Sequence, residues 1–175
     1  MSADVEKDRV ILENRAREFA KPLEERIQDE GEDVVVFDLA GERYAVESEV
    51  VREIRRLGGL TPLPGIPSFV LGIVNVRGEI LSVLDLAKIL GLPVRPFGDT
   101  ASMLVLSDGN MIFGVAVHGL HGTMRLSIEG LQPIPAAREG IPKRVLRGVR
   151  PDGLIVMNGH ALLEEKALVV GLQTE

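Results

Sequence analysis

Of the 19 glycines in this 175-residue chain, 18 lie beyond residue 33, and so do nine of its ten prolines. Only Pro22 and Gly31 fall earlier. Both residue types interrupt regular structure and mark turns. The chain therefore divides into a turn-poor leader and a body cut into short segments, and long helices are excluded from the body. Charge divides at the same place. Residues 1–33 hold 11 acids and 6 bases, whereas residues 34–175 hold 15 and 14. Most of the formal charge of −6 thus belongs to the leader. The Gly31-Glu32-Asp33 stretch is the predicted joint between a leader over 1–32 and a body over 33–175.

In the leader, Val5, Leu12, Ala16, Phe19 and Leu23 are spaced 7, 4, 3 and 4 apart, the period of one helical face. Charged residues fill the other faces. Pro22 ends or kinks this helix near Lys21, unless it opens a second short helix over 23–28. The pattern fits an amphipathic helix that packs on the body or is loosely tethered to it. It also fits a docking or oligomerisation helix. A membrane-surface role is disfavoured, because the polar face is acidic overall and anionic lipid repels it.

The body reads as strands. Residues 34–39 form a β-branched run, Ala40-Gly41 makes a tight turn, and 42–46 return. Residues 50–56 read as a helical turn leading into a strand. The prolines at 62, 64 and 67 impose an extended or turning connection. Residues 69–76 and 79–84 flank Arg77-Gly78 as a hairpin, and Gly78 supplies the positive φ of its turn. Gly72 marks a bulge or a close backbone approach. Asp85 is placed as N-cap of a short helix that Gly91 closes. A second hairpin surrounds Asp108-Gly109-Asn110, and 118–127 continue as strand and bend. Residues 131–142 form a proline-punctuated loop. Residues 144–150 and 154–157 form a last strand pair, followed by a helix over 161–170. Eight to ten short strands at regular spacing argue for small β-barrels or a sandwich. Aromatics are only 3% of the chain, so the core must be aliphatic.

Motifs for chemistry are sparse. Cysteine is absent, which removes disulfides, thiol catalysis and cysteine-based zinc sites. No phosphate-binding glycine loop, nucleophile elbow or zinc-protease motif occurs. His118 and His121 fall on opposite faces of a strand, a poor arrangement for one metal. His160 reads as a turn or cap residue. Asp38, Glu53, Asp85, Asp108 and Asp152 are scattered singly. Lys143, Arg144, Arg147 and Arg150 form the one basic cluster, with Arg144 and Arg150 sharing a strand face. No aromatics interleave with them, and the overall pI is near 5.2, which weakens a nucleic-acid reading. No signal peptide or span of about 20 apolar residues is visible, so the predicted compartment is the cytoplasm. A β-rich body without a visible active site suits a binding module.

The segment Pro67-Ser68-Phe69-Val70-Leu71-Gly72-Ile73-Val74-Asn75-Val76-Arg77-Gly78-Glu79-Ile80-Leu81-Ser82-Val83-Leu84-Asp85-Leu86 resembles the CheW-like family of bacterial chemotaxis coupling proteins. It carries the family's aromatic, G-x-x-N-x-R-G hairpin, aliphatic strand and Asp-Leu. Val51-Arg52-Glu53-Ile54 matches the family's V-x-E-I, and 113–117 and 146–149 fall where later strands are placed. The resemblance spans roughly residues 33–170. It implies a mainly β fold of two small five-stranded SH3-like barrels, intertwined over 33–175 around an aliphatic core. It also implies a non-enzymatic scaffold without cofactor or metal. Such a scaffold bridges methyl-accepting receptor tips to the regulatory domain of a histidine kinase, in the cytoplasm beside membrane receptor arrays and without membrane insertion. Arg77 and Asn75 are implied at a receptor-facing groove between the barrels, with Val76 beside them and Val51 and Glu53 as further partner contacts. Two positions depart from the family: His118 and Asn158 stand where an Asp is frequent, and each removes a negative charge. The alternatives are an adaptor of the same fold in a non-motility chemosensory pathway and a β-barrel nucleic-acid binder using residues 143–150. An enzyme built on His118 or His160 lacks a recognisable constellation.

Overall fold

The computed structural model describes residues 31–135 and 143–165. The leader helix, the end of the proline-punctuated loop and the far half of the C-terminal helix lie outside the described residues. The strands are β1 (Glu32–Leu39), β2 (Glu42–Glu47), β3 (Val51–Arg56), β4 (Val70–Val76), β5 (Glu79–Asp85), β6 (Ser102–Ser107), β7 (Ile112–Val117), β8 (Gly119–Leu126), β9 (Leu146–Val149) and β10 (Ile155–Met157). Short helices α1 (Leu86–Ile89) and α2 (Gly159–Leu163) follow β5 and β10. Single 3-10 turns at Ser48–Val50 and Lys143–Val145 precede β3 and β9. Among the described residues, 31–32 and 125–128 fall in one compact unit, and 33–124 with 129–135 and 143–165 in a second. The site and the cores described below belong to the second.

The strands form two five-stranded sheets, ordered β8-β1-β2-β10-β9 and β3-β6-β7-β5-β4. Each has the same plan. A hairpin, β1–β2 or β6–β7, pairs in parallel with the last strand of another hairpin, β10 or β5. The chain crosses from the first sheet to the second after β2 and returns after β7. Each barrel is therefore built from both halves of the chain.

Closure of each barrel rests on one pair of backbone hydrogen bonds. In the second, the connection after β3 reaches across to β4: Thr61 N–H donates to Ile73 O at 2.8 Å, and Ile73 N–H to Thr61 O at 3.0 Å. In the first, the connection after β8 reaches β9, with Gln132 and Val149 exchanging two bonds of 2.9 Å. A glycine lies beside each seam. A Cβ on Gly72 would stand 2.5 Å from Thr61 O, and one on Gly148 would stand 2.9 Å from Gln132 O. Gly72 also has φ +148° and marks a register shift between β4 and β5, so it serves both purposes predicted for it.

Burial follows strand alternation. Val35, Phe37 and Leu39 of β1 join Leu84, Leu104, Leu106, Phe113, Val115 and Val117 of the other sheet in one shared core. Val34 and Val36, on the opposite face of β1, are also buried. A smaller cluster of Val76, Leu81, Val83, Met103, Val105 and Ala116 fills the second barrel. Tyr44 and Phe37 stack with ring centres 6.1 Å apart and fill space that aliphatics would otherwise occupy.

Asp85 caps α1 by accepting the Lys88 N–H at 3.3 Å, and Asn158 caps α2 by accepting the Ala161 N–H at 3.0 Å. Three sequence expectations need correction. The helix expected from residue 161 begins at Gly159 and is described as ending at Leu163. The strand expected from residue 144 begins at Leu146, because Lys143–Val145 is a 3-10 turn. Arg144 therefore does not share a strand face with Arg150.

Candidate partner-binding site

The β4–β5 turn is a two-residue type I′ connection. Arg77 and Gly78 have φ +52° and +87°, and Val76 pairs directly with Glu79. Glycine adopts this geometry freely, whereas a non-glycine residue in the left-handed region costs about 1 kcal/mol or more. Asn75 offsets part of that cost, its Oδ1 accepting the Gly78 N–H at 2.8 Å. The Asn75 amide is thus committed to the turn.

The strained arginine reaches across the barrel. Its Nε lies 3.3 Å from Glu53 Oε2, and Arg52 Nη1 lies 3.2 Å from Glu79 Oε2. Glu53 and Arg52 stand at the start of β3, where the pairing with β6 shifts register between Val51 and Glu53. Such a bulge re-aims side chains. Since β3 and β4 are the two outer strands of this sheet, the crossed pairs bridge its edges. Arg55 approaches the other Glu53 oxygen at 3.8 Å.

These four charges rim a groove of about 160 Å³ whose floor is Val76, Leu81, Val105 and Ile112. Val76 is only 6% exposed and acts as floor, and Val51 packs against the shared core. The Arg77 side chain is 81% exposed and Glu53 22%. An ion pair this open contributes little to stability, about 0–1 kcal/mol, and can exchange for a partner's groups at small cost. Every lining residue belongs to the second barrel. The resemblance implied a receptor-facing groove between the barrels; the groove rimmed by the Arg77–Glu53 and Arg52–Glu79 pairs lies on the second barrel.

Three members of the basic cluster are paired with carboxylates. Arg144 bonds Glu165 at 2.8 Å, Arg147 bonds Glu47 at 3.3 Å, and Arg150 lies 3.6 Å from Asp152. The side chain of Lys143 lies outside the described residues. Glu47, which no spacing signalled, is buried at the end of β2. Its Oε2 accepts the buried Gly159 N–H at 2.7 Å and its Oε1 accepts from Arg147. Gly159 is required there, since a Cβ would stand 2.5 Å from Val50 Cγ2.

The three histidines are also engaged. His160 bonds Glu49 at 2.8 Å, and that carboxylate raises the imidazole above its ordinary value. His118 and His121 reach Asp38 through different groups, the first by its main chain and the second by its ring. The His118 main-chain N–H donates to Asp38 O at 2.9 Å, and His121 Nε2 lies 2.8 Å from Asp38 Oδ1. β7 ends at Val117 and β8 begins at Gly119, so the two do not share one regular strand. Asp108 accepts from Met111 and Asn110 N–H in its turn, which holds its carboxyl below the usual range. Among the described residues no cluster of three or more ligating side chains could hold a metal, and no helix is long and apolar enough to cross a membrane.

Two interlaced five-stranded barrels, with a charged groove at the seam of one, define a small double-barrel β module. Residues 33–167 match the model of the CheW-like domain, and the chain belongs to that family. Protein FrzA of Myxococcus xanthus is 34% identical over 111 residues, covering 63% of this chain and 69% of the relative. Chemotaxis protein CheW of Klebsiella aerogenes is 28% identical over 144 residues, covering 79% and 87%. The crystal structure of scaffolding protein TtCheW from Thermoanaerobacter tengcongensis superposes with a TM-score of 0.63 at 26% identity, covering 73% of this chain and 88% of that one.

Proposed function

We propose that this chain is a non-enzymatic chemosensory scaffold that couples the cytoplasmic tips of methyl-accepting receptors to the regulatory domain of a histidine kinase, and that it works in the cytoplasm beside receptor arrays. Family membership and the relatives named for chemotaxis and scaffolding support this reading. The observation that carries the site is the exposed, left-handed Arg77 spanning the seam to Glu53. An arginine fork suits an interface anchor, because it can exchange one carboxylate for another or for backbone carbonyls. Glu53 with Arg77 forms the contact, Val76 supports it from beneath, Val51 anchors the start of β3 to the shared core, and Asn75 holds the turn. Gly72, Gly78 and Asp85 fix the strand, turn and helix around it. The leader over 1–32 is an addition to the interaction domain over 33–175, in keeping with a family match that starts at residue 33.

The test is co-sedimentation of the full chain with a receptor signalling fragment and a kinase regulatory domain. Arg77→Ala or Glu53→Lys should weaken capture about tenfold or more while changing folding stability by less than about 1 kcal/mol. A folded wild-type chain that bound neither partner would sink the proposal. The second reading is an adaptor of the same fold in a non-motility chemosensory pathway. Capture of a kinase from such a pathway in preference to a motility kinase would select it.

A further inference from the structure

His118 stands where β7 ends, and five contacts hold it. Its Nδ1 accepts the Ala40 N–H at 3.3 Å, and its Nε2 lies 3.1 Å from the Arg95 carbonyl oxygen. A carbonyl only accepts, so these partners assign the neutral ring with the proton on Nε2. Phe97 stacks on the imidazole with centres 4.7 Å apart. Its carbonyl accepts from Thr100 Oγ1 at 3.1 Å, and its N–H donates to Asp38 O.

One side chain thus ties together the β1–β2 turn of the first barrel, the end of β7 in the second and the connection over residues 92–100. The turn it grips is strained: Ala40 sits at φ +52° ahead of Gly41 at +89°. The Arg95 guanidinium packs 2.8 Å from where a Gly41 Cβ would stand. An open pocket of about 540 Å³ lies here, lined by Asp38, Gly41, Arg95, Pro96 and His118.

We propose that His118 is a proton-released clasp: protonation at Nδ1 sets a donor against the Ala40 N–H, frees the strained turn and reshapes this pocket. The charged groups around it are few. Asp38 on β1 engages His121 on β8, and Arg95 lies on the turn from the connection. On β2, Glu42 meets Tyr44, and Arg43 donates to the Asp152 carbonyl. Among the described residues, Asp38 is the sole carboxylate lining the pocket, and it already faces His121.

The test is amide NMR of the full chain between about pH 8 and about pH 5, the window in which histidine changes charge. The Ala40 resonance should move with the His118 ring protons, and its protection against hydrogen exchange, corrected for intrinsic rate, should fall about tenfold, on the scale of one lost hydrogen bond. His118→Asn keeps an acceptor near Nδ1 without titrating and should abolish the fall, whereas His121→Gln should leave it intact. An Ala40 response that follows the His121 ring, persists in His118→Asn or is absent from the wild type overturns the clasp. If His118→Asn fails to fold, the wild-type comparison of the two rings still decides.

Discussion

In the second barrel the β4–β5 turn carries its arginine outward, and Arg77 and Arg52 cross the seam to Glu53 and Glu79. The corresponding turn of the first barrel, between β9 and β10, bonds mostly within itself, with Arg43 adding one bond to the Asp152 carbonyl. Gly153 N–H donates to Arg150 O at 2.9 Å, Leu154 N–H to Asp152 Oδ1 at 3.2 Å, and Arg150 faces Asp152. The first barrel keeps its principal charge inside, where buried Glu47 holds the start of α2 and binds Arg147. One backbone plan thus serves two ends. Charges turned inward fix a helix; charges turned outward at an open seam are free to trade partners.

The largest effects should come from the glycines beside the seams. Gly72→Ala drives a Cβ into the Thr61 carbonyl and forces alanine to φ +148°, so it should cost about 3 kcal/mol or more in urea unfolding. Gly148→Ala meets the Leu131 Cβ at 2.8 Å without a positive φ, and should cost about 1–2 kcal/mol. Equal costs would break the comparison, since they would mean that both seams yield alike. Next comes the inward charge. Glu47→Ala leaves the Gly159 N–H without its acceptor and Arg147 without its carboxylate, a loss of about 2–3 kcal/mol by the same measurement. The helix caps should differ least between barrels. Asp85→Ala and Asn158→Ala should each cost about 1 kcal/mol, because each removes one acceptor from one helix start. A much larger loss for Asp85 would show that its charge does more than cap.

Local chemistry made much of this legible. The turn at Arg77-Gly78, the Asp85 cap and the hairpins are short-range signals, and eight to ten strands emerge from alternation and punctuation. Pairing across the seams is long-range and left no local trace. A repeat does announce it. Leu60-Thr61-Pro62-Leu63-Pro64 followed by Gly65-Ile66-Pro67 recurs as Leu131-Gln132-Pro133-Ile134-Pro135 followed by Gly140-Ile141-Pro142. Each copy precedes a seam glycine, a hairpin and a capped short helix. Aligning these halves would have shown that Asn158 occupies the place of Asp85, and hence that it is a cap. Glu47 had no such signal, because its partners lie 100 and 112 residues away. The position of the groove depended on β3 and β4 meeting across the seam, which strand patterns do not encode.

The smallest expected effect is a pH dependence confined to the first barrel. His160, the second residue of α2, bonds Glu49 in the 3-10 turn after β2, and the second barrel has no matching pair among the described residues. Its value is raised chiefly by the hydrogen bond to Glu49. A raised value means that the folded state holds the proton more tightly than the unfolded chain. The added stability is therefore complete below the ordinary histidine value near 6.5 and disappears as pH climbs through the raised folded value. Both side chains are largely exposed, 53% and 72%, so solvent screening holds the gain to a few tenths of a kcal/mol, about the scale of a surface pair. The stability difference between wild type and His160→Gln should accordingly be larger at about pH 5.5 than at about pH 8.5. A flat difference would mean that the His160–Glu49 pair adds nothing and that α2 is held by Glu47 and the Asn158 cap, and the opposite slope would mean that the folded state disfavours the His160 proton.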